Sequence, residues 1–361
     1  MGERLAGSQK VRGSNPLSST AIETMSAAEA IRGEQAWLDG RFLSRAELAL
    51  PVGDAGFVLG ATVTEQFRTF RGRIFLPDDH ARRLAESLAV VGIAAAVTID
   101  EMLAAAERIA SHNHQLAASA AAGHLGQAFT ADDPGPDLGL VIFVTPGDVA
   151  SQHGGAGGSP RVAIHTFPLA FPMWADAYDR GVALRMVSVT QVPETCWPLR
   201  AKVRSRLHYY LADREAAAAE AGARAVLAHD DGRISETSTA NIAAVMEGGI
   251  VTPPTTDALG GVSLACARKL ADSLGIPWQE RSLTAADLAT ADEVLLTSTP
   301  NCMLPATRFD GHPVGDGTPG PVFRSILAAW SRLVSLDIAS QARVEAARIR
   351  RAGSPPTTHP T

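Results

Sequence analysis

Lysine is nearly missing from this chain. Lysine and arginine together number 32, yet the lysines are only Lys10, Lys202 and Lys269. Where charge alone is needed the chain uses arginine, so a retained lysine points to amine chemistry that a guanidinium cannot perform. Cysteine is scarce as well. Cys196, Cys266 and Cys302 lie far apart with no CxxC spacing, which excludes a disulfide framework or a zinc site and suits a reducing cytoplasm. No apolar run approaches the roughly 20 residues of a membrane-spanning helix, so no membrane partner is expected. Positive charge is not in excess either: the net charge is −6, and no nucleic-acid partner is expected.

What is present is enough apolar residue for one large or two medium cores, 46% of 361 residues. Residues 1–24 are rich in Gly, Ser, Arg and Asn, without apolar period or the apolar stretch of a signal peptide. They resemble a bacterial tRNA gene read as protein. Met25 is therefore the expected start, and Lys10 an artefact. Turn residues and periodicity suggest a smaller α/β domain over 30–146, with hairpins at Asp39-Gly40 and Arg71-Gly72 and helices near 78–91 and 100–118. Residues 147–160 hold five glycines and read as a linker. A larger domain is expected over 161–336, and a disordered Arg-, Pro- and Thr-rich tail over 337–361. Mixed hairpins and helices make the fold class α+β.

Three segments carry candidate chemistry. Lys202 lies among Arg200, Arg204 and Arg206. Neighbouring cations and burial would lower its pKa and supply the neutral amine that condenses with an aldehyde; a solvated basic surface is the plain alternative. Glu236, in Ile234–Asn241, is a strand-edge carboxylate or the partner of a pyridinium nitrogen. Gly260-Gly261-Val262-Ser263 opens a helix, either offering free N–H groups to a phosphate or being capped by Ser263. Thr297-Ser298-Thr299 ends a strand and adds hydroxyls.

Taken in order, these segments resemble the class IV aminotransferases, the fold-type IV pyridoxal phosphate enzymes that include branched-chain and D-amino acid aminotransferases and aminodeoxychorismate lyases. The likeness runs from about Trp37 to Val334 and includes Val63–Arg68, Gly72–Phe75 and His80-Ala81-Arg82-Arg83-Leu84. It implies a two-domain, D-amino acid aminotransferase-like fold and a homodimer or higher homo-oligomer with the site near the interface. It also implies a pyridoxal 5'-phosphate cofactor, and amino acid and 2-oxo acid substrates. By position, Lys202 resembles the Schiff-base lysine and the proton carrier between Cα and the cofactor. Glu236 resembles the pyridinium partner. Arg83 resembles the phosphate-binding arginine, offering a bidentate fork. Val262, Ser263, Ser298 and Thr299 resemble the remaining phosphate contacts.

Thr64 replaces the family's usual Phe or Tyr, making one pocket wall smaller and more polar. Leu138–Phe143 lacks the Tyr-x-Arg pair of branched-chain enzymes, leaving Arg68 as a stand-in for the substrate carboxylate. Glu65 favours a transaminase over the lyase, which remains the alternative; a non-catalytic ligand-binding relative is the second. No metal site is expected. His112-Asn113-His114 sits in a helix where residues i and i+2 face apart. Asp78-Asp79-His80 reads as a helix start, and Gly154–Gly158 lacks the strand and helix of a nucleotide loop.

Overall fold

The computed structural model describes residues 33–125 and 135–352; the expected leader lies outside the described residues. Both hairpins form where their turn residues indicate. Asp39 and Gly40 take φ of 48° and 91° between β1 (Gln35–Leu38) and β2 (Arg41–Ser44). Arg71 and Gly72 take 52° and 73° between β3 (Val63–Phe70) and β4 (Arg73–Ile74). Two successive positive φ values match the twist of the flanking strands. A single turn, α1 (Ala55–Val58), precedes β3. Helix α2 (Pro77–Val91) starts with proline and two acids in its first turn and stops at Gly92, φ 76°. It packs on β3 beside α3 (Ile99–Leu125), which covers β5 (Leu138–Thr145) and β6 (Arg161–Pro168). Leu84, Leu88, Met102 and Ile109 from the helices meet Val63, Phe67, Leu140, Ile142 and Ile164 from the sheet. The sheet order is β2-β1-β6-β5-β3-β4.

That order corrects the expected domain boundary. β5 and β6 pair antiparallel from Leu138↔Pro168 to Thr145↔Arg161, so residues 147–160 join two neighbours of one sheet. Their glycines serve close packing: a Cβ on Gly147 or Gly158 would collide with the backbone of Ser159 or Asp148. Arg161 holds Asp54 and Asp148 at 3.4 and 2.7 Å. The chain changes sheet only after Pro168.

After Pro168 the elements run α4 (Ala177–Arg180), β7 (Val182–Met186), α5 (Leu207–Ala219), β8 (Arg224–Ala228), β9 (Ile234–Thr237), β10 (Asn241–Met246), β11 (Gly249–Thr252), α6 (Val262–Ser273), β12 (Trp278–Glu280), α7 (Ala285–Thr290), β13 (Glu293–Ser298), β14 (Cys302–Phe309), β15 (His312–Pro313), α8 (Pro321–Leu333) and α9 (Ile338–Ala352), the strands forming a second sheet. Pairing runs β10-β13-β14-β7-β8-β9 and returns to β10 through Glu236↔Asn241. The strands thus close into a ring, and the closing pair carries Glu236. Alternate residues of β10 and β13 enter different cores. Ile242, Ala244, Val294 and Leu296 meet Leu184, Ile234 and Phe309 on one side. Ala243, Val245 and Leu295 meet α6, α8 and Trp330 on the other. This is period-2 burial of both faces.

A second correction concerns the tail. Residues 338–352 form α9, with Ile338, Ala342 and Ala346 buried on one stripe. That four-residue spacing gives a helix an apolar edge whatever its polar composition. Residues 353–361 lie outside the described residues.

Candidate active site

Lys202 follows β7 and sits on an extended segment pinned to the first sheet. Val203 bridges Val63. Thr64 N–H donates to the Lys202 carbonyl and Arg204 N–H to the Thr62 carbonyl, both at 2.9 Å. Lys202 N–H donates to the Ser87 hydroxyl on α2 at 3.0 Å. The lysine backbone is therefore held by β3 and α2, while its side chain lines a cavity of about 770 Å³. Burial, then the Arg83 charge, and further the Arg206 charge lower its pKa from 10.5 to about 8, against the pull of Glu65 and Glu236. Of the cations beside it in sequence, Arg206 contributes; Arg200 is exposed. Lys269 is 71% exposed on α6, 3.8 Å from Asp79.

Glu236 also lines the cavity. Tyr209 donates its hydroxyl proton to one carboxylate oxygen at 2.6 Å, and Asn241 donates to the other at 3.3 Å. Gln191 donates to the Tyr209 oxygen at 3.2 Å. Burial raises the Glu236 pKa, opposed by the Tyr209 hydrogen bond and by Lys202 and Arg206. Arg206 donates to the Ser238 carbonyl and stacks on the Tyr209 ring, 4.5 Å from its centroid.

The start of α6 forms another wall. Gly261 is its N-cap, and no side chain caps the helix, so Ser263 does not take that role. Val262 and Ser263 line the cavity with their amides at the positive end of the helix dipole. A Cβ on Gly261 would collide with Asn241 Oδ1, so glycine lets the helix start approach β10. Thr297, Ser298 and Thr299 face the same cavity. Ser298 donates to Asn301 Oδ1 at 2.9 Å. Among the described residues, Thr297 Oγ1 and Trp174 Nε1 are buried without a hydrogen-bond partner, and both residues line the cavity.

Arg83 lines the cavity, but its bidentate fork is engaged. Nε and one amino group grip Glu65 at 3.0 and 2.6 Å, and the other donates to the Gly260 carbonyl at 3.1 Å. The reason is electrostatic: Glu65 is fully buried and needs a cation. Burial opposes its ionisation, but the Arg83 charge and the hydrogen bonds of His80 (2.8 Å) and Arg83 outweigh it and hold the carboxyl far below its usual range. Burial also lowers the His80 pKa.

Thr64 lines the cavity, its hydroxyl turned to the Ile142 carbonyl at 3.4 Å. Arg68 does not. It is buried behind the loop after β13, donating to the Pro300 carbonyl at 2.9 Å and to Gln341 of α9 at 3.0 Å, with Phe70 beneath its guanidinium. Its donors are occupied, so it cannot stand in for a substrate-carboxylate contact. His112 and His114 bond the Gly33 and Pro136 carbonyls separately, and no cluster of potential metal ligands occurs among the described residues.

Sequence reasoning missed Tyr209, Gln191 and Asn241. A signal existed for the first, because the chain has only three tyrosines and Tyr209 follows Lys202 within one turn-and-helix. The other two gain meaning only through β9–β10 closure.

Residues 62–309 match the family model for amino-transferase class IV. A D-alanine aminotransferase of Bacillus licheniformis is 29% identical over 293 residues, 81% of this chain and 94% of that protein. One from Staphylococcus aureus (strain COL) is 25% identical, covering 83% and 98%. Among solved structures, the branched-chain amino acid aminotransferase of Escherichia coli superposes with TM-score 0.70 at 24% identity, covering 84% of this chain and 95% of that one. The PLP-form enzyme of Thermobaculum terrenum gives 0.70 at 22%, covering 86% and 96%.

Proposed function

The chain belongs to the class IV aminotransferases, and on that footing we propose that Lys202 is where it holds the pyridoxal phosphate with which it transfers an amino group between an amino acid and a 2-oxo acid. When bound, this cofactor supplies an electron sink for the carbanion formed as the substrate Cα loses its proton. The observation that carries the assignment is the convergence on one cavity of a depressed lysine, a buried carboxylate and an uncapped helix start. The residues fit the group. The Val262 and Ser263 amides, the Thr299 hydroxyl, the orphaned Thr297 hydroxyl and Ser298 suit a phosphate. Arg83 adds positive charge through its Gly260-facing edge while its fork holds Glu65. Glu236, fixed by Tyr209 and Asn241, holds the proton at the pyridine nitrogen. With the cofactor bound, the neutral amine of Lys202 would take the proton from the substrate Cα.

For the donor we propose a D-amino acid of the size of alanine. The relatives of highest identity above act on D-alanine by name, and the cavity wall on β3 carries polar Thr64 and Gln66 instead of an apolar slot for a branched chain. With 2-oxoglutarate as acceptor, D-alanine is expected to give at least about tenfold the kcat/KM of L-alanine or L-leucine, a difference of about 1.4 kcal/mol. Higher efficiency with L-leucine would sink this choice.

The working unit we propose is a homodimer in the cytoplasm. Phe57, Leu59, Leu207 and Tyr210 are 78%, 67%, 70% and 61% exposed. Leu59 and Leu207 line a shallow groove that shares Trp197, Arg204 and His208 with the cavity. Exposed apolar side chains grouped around a site mark a contact surface, and a second copy covers it here. Light scattering after gel filtration should give twice the chain mass, and Leu207→Glu should shift it toward one; a monomeric wild type refutes the assignment. The cysteines are free among the described residues, as a reducing compartment requires, and no described helix is long and apolar enough to cross a membrane.

A further inference from the structure

We propose that Arg204 receives the carboxylate of the amino acid substrate; this rests on assigning the reaction to the Lys202 cavity. A carboxylate leaving water for a partly enclosed site needs a cation or several donors. Five side chains of lysine or arginine line the cavity: Arg83, Lys202, Arg204, Arg206 and Arg224. Arg83 is engaged by Glu65 and the Gly260 carbonyl. Lys202 acts as the neutral amine. Arg206 is engaged by the Ser238 carbonyl and the Tyr209 ring. Arg224 faces the opposing charge of Asp213. Arg204 alone of these is without a hydrogen bond, an ion pair or an opposing charge from its side chain among the described residues.

Its placement suits the task. The Val203–Val63 bridge and the two backbone bonds flanking it make the segment extended. In such a segment, residues i and i+2 point to the same side about 7 Å apart. Lys202 and Arg204 therefore share the cavity side with Thr64, and a substrate whose amino group meets Lys202 presents its carboxylate within one residue pair of Arg204. Arg204 is exposed where the cavity meets the groove, with the Arg206 charge nearby, so an incoming anion displaces no side-chain partner. The Arg68 alternative is removed by its own partners, and β5 supplies no cation.

The test uses the holoenzyme with D-alanine and isopropylamine as donors, and propionate as a carboxylate probe. Arg204→Gln is expected to lower kcat/KM for D-alanine roughly 10- to 100-fold, mainly through KM. The alanine-to-isopropylamine ratio should fall in step, and the calorimetric Kd of propionate should rise by a similar factor. Arg204→Lys should recover part of each loss, and the cofactor dissociation constant should stay at the wild-type value. Unchanged alanine kinetics and propionate binding would overturn the proposal, as would an equal loss for both donors. Weaker cofactor binding would also overturn it, by giving Arg204 to the phosphate. Failure of the underlying site assignment is seen separately, as a wild-type chain that takes up no cofactor at Lys202.

Discussion

Lys202→Ala is expected to lower turnover by on the order of 10⁴-fold or more, since on the proposed assignment the variant loses both the covalent anchor and the proton carrier. No other described lysine can replace it. Lys269 is exposed on α6 beside Asp79, away from the residues that line the cavity. Borohydride reduction of the wild type followed by peptide mass analysis should place the cofactor on the peptide containing Lys202, and the variant should carry none. Label on Lys269 would remove Lys202 from the mechanism. The pH dependence follows from the same environment. A neutral amine is required, and the Lys202 pKa is lowered to about 8. Below that value each pH unit leaves about tenfold less neutral amine. The rate of cofactor uptake by the stripped protein should therefore climb with pH and level off above about 8. A flat profile from pH 6 to 9 would mean that the amine is neutral throughout or takes no part.

Glu236→Gln should cost about 10²-fold or more in kcat while leaving cofactor uptake at Lys202 intact. In the proposed role the carboxylate charge would stabilise a proton at the pyridine nitrogen chiefly when the Cα carbanion develops, so its loss would fall on the chemical step more than on substrate binding. The hydrogen bonds make the substitution worse than neutral. Asn241 Nδ2 is fixed at 2.7 Å to the Leu259 carbonyl, so a glutamine must turn its oxygen toward it and its amide nitrogen toward Tyr209. The Tyr209 oxygen already accepts from Gln191, and its hydroxyl proton would lose a buried acceptor. Single-turnover kinetics with D-alanine reads the effect directly. A half-reaction at the wild-type rate would leave Glu236 as an ordinary member of β9 with no part in the chemistry.

Much of the candidate site was readable before the fold because it consists of residue types in telling local contexts. A lysine in an arginine-using chain, glycines opening a helix and hydroxyls ending a strand are each visible within a few positions. The hairpin turns were readable for the same reason: positive φ at two successive residues depends on the residues themselves. Misreadings arose where one local pattern serves two global purposes. Five glycines suit a domain linker, but they also suit a loop whose backbone packs against itself between β5 and β6. An Arg-rich end suggests disorder, yet three small or apolar residues four apart dock α9 beneath that surface.

Sequence alone determined which functional groups this protein has, and roughly which strand, turn or helix end bears each, because those depend on backbone preferences spanning a few residues. Tertiary structure decided which groups are free to act. Arg68 and Arg83 look alike as buried-side arginines in neighbouring elements, yet Arg68 is engaged with Pro300 and Gln341 while Arg83 reaches the cavity gripping Glu65. The Lys202 pKa is likewise lowered by burial and then by Arg83, which lies 119 residues away in the chain (202 − 83). Charge interactions and hydrogen bonds act across a few ångströms of space whatever the separation along the chain. Only chain closure, here the Val63–Val203 bridge and the Glu236–Asn241 pair, brings those partners within range.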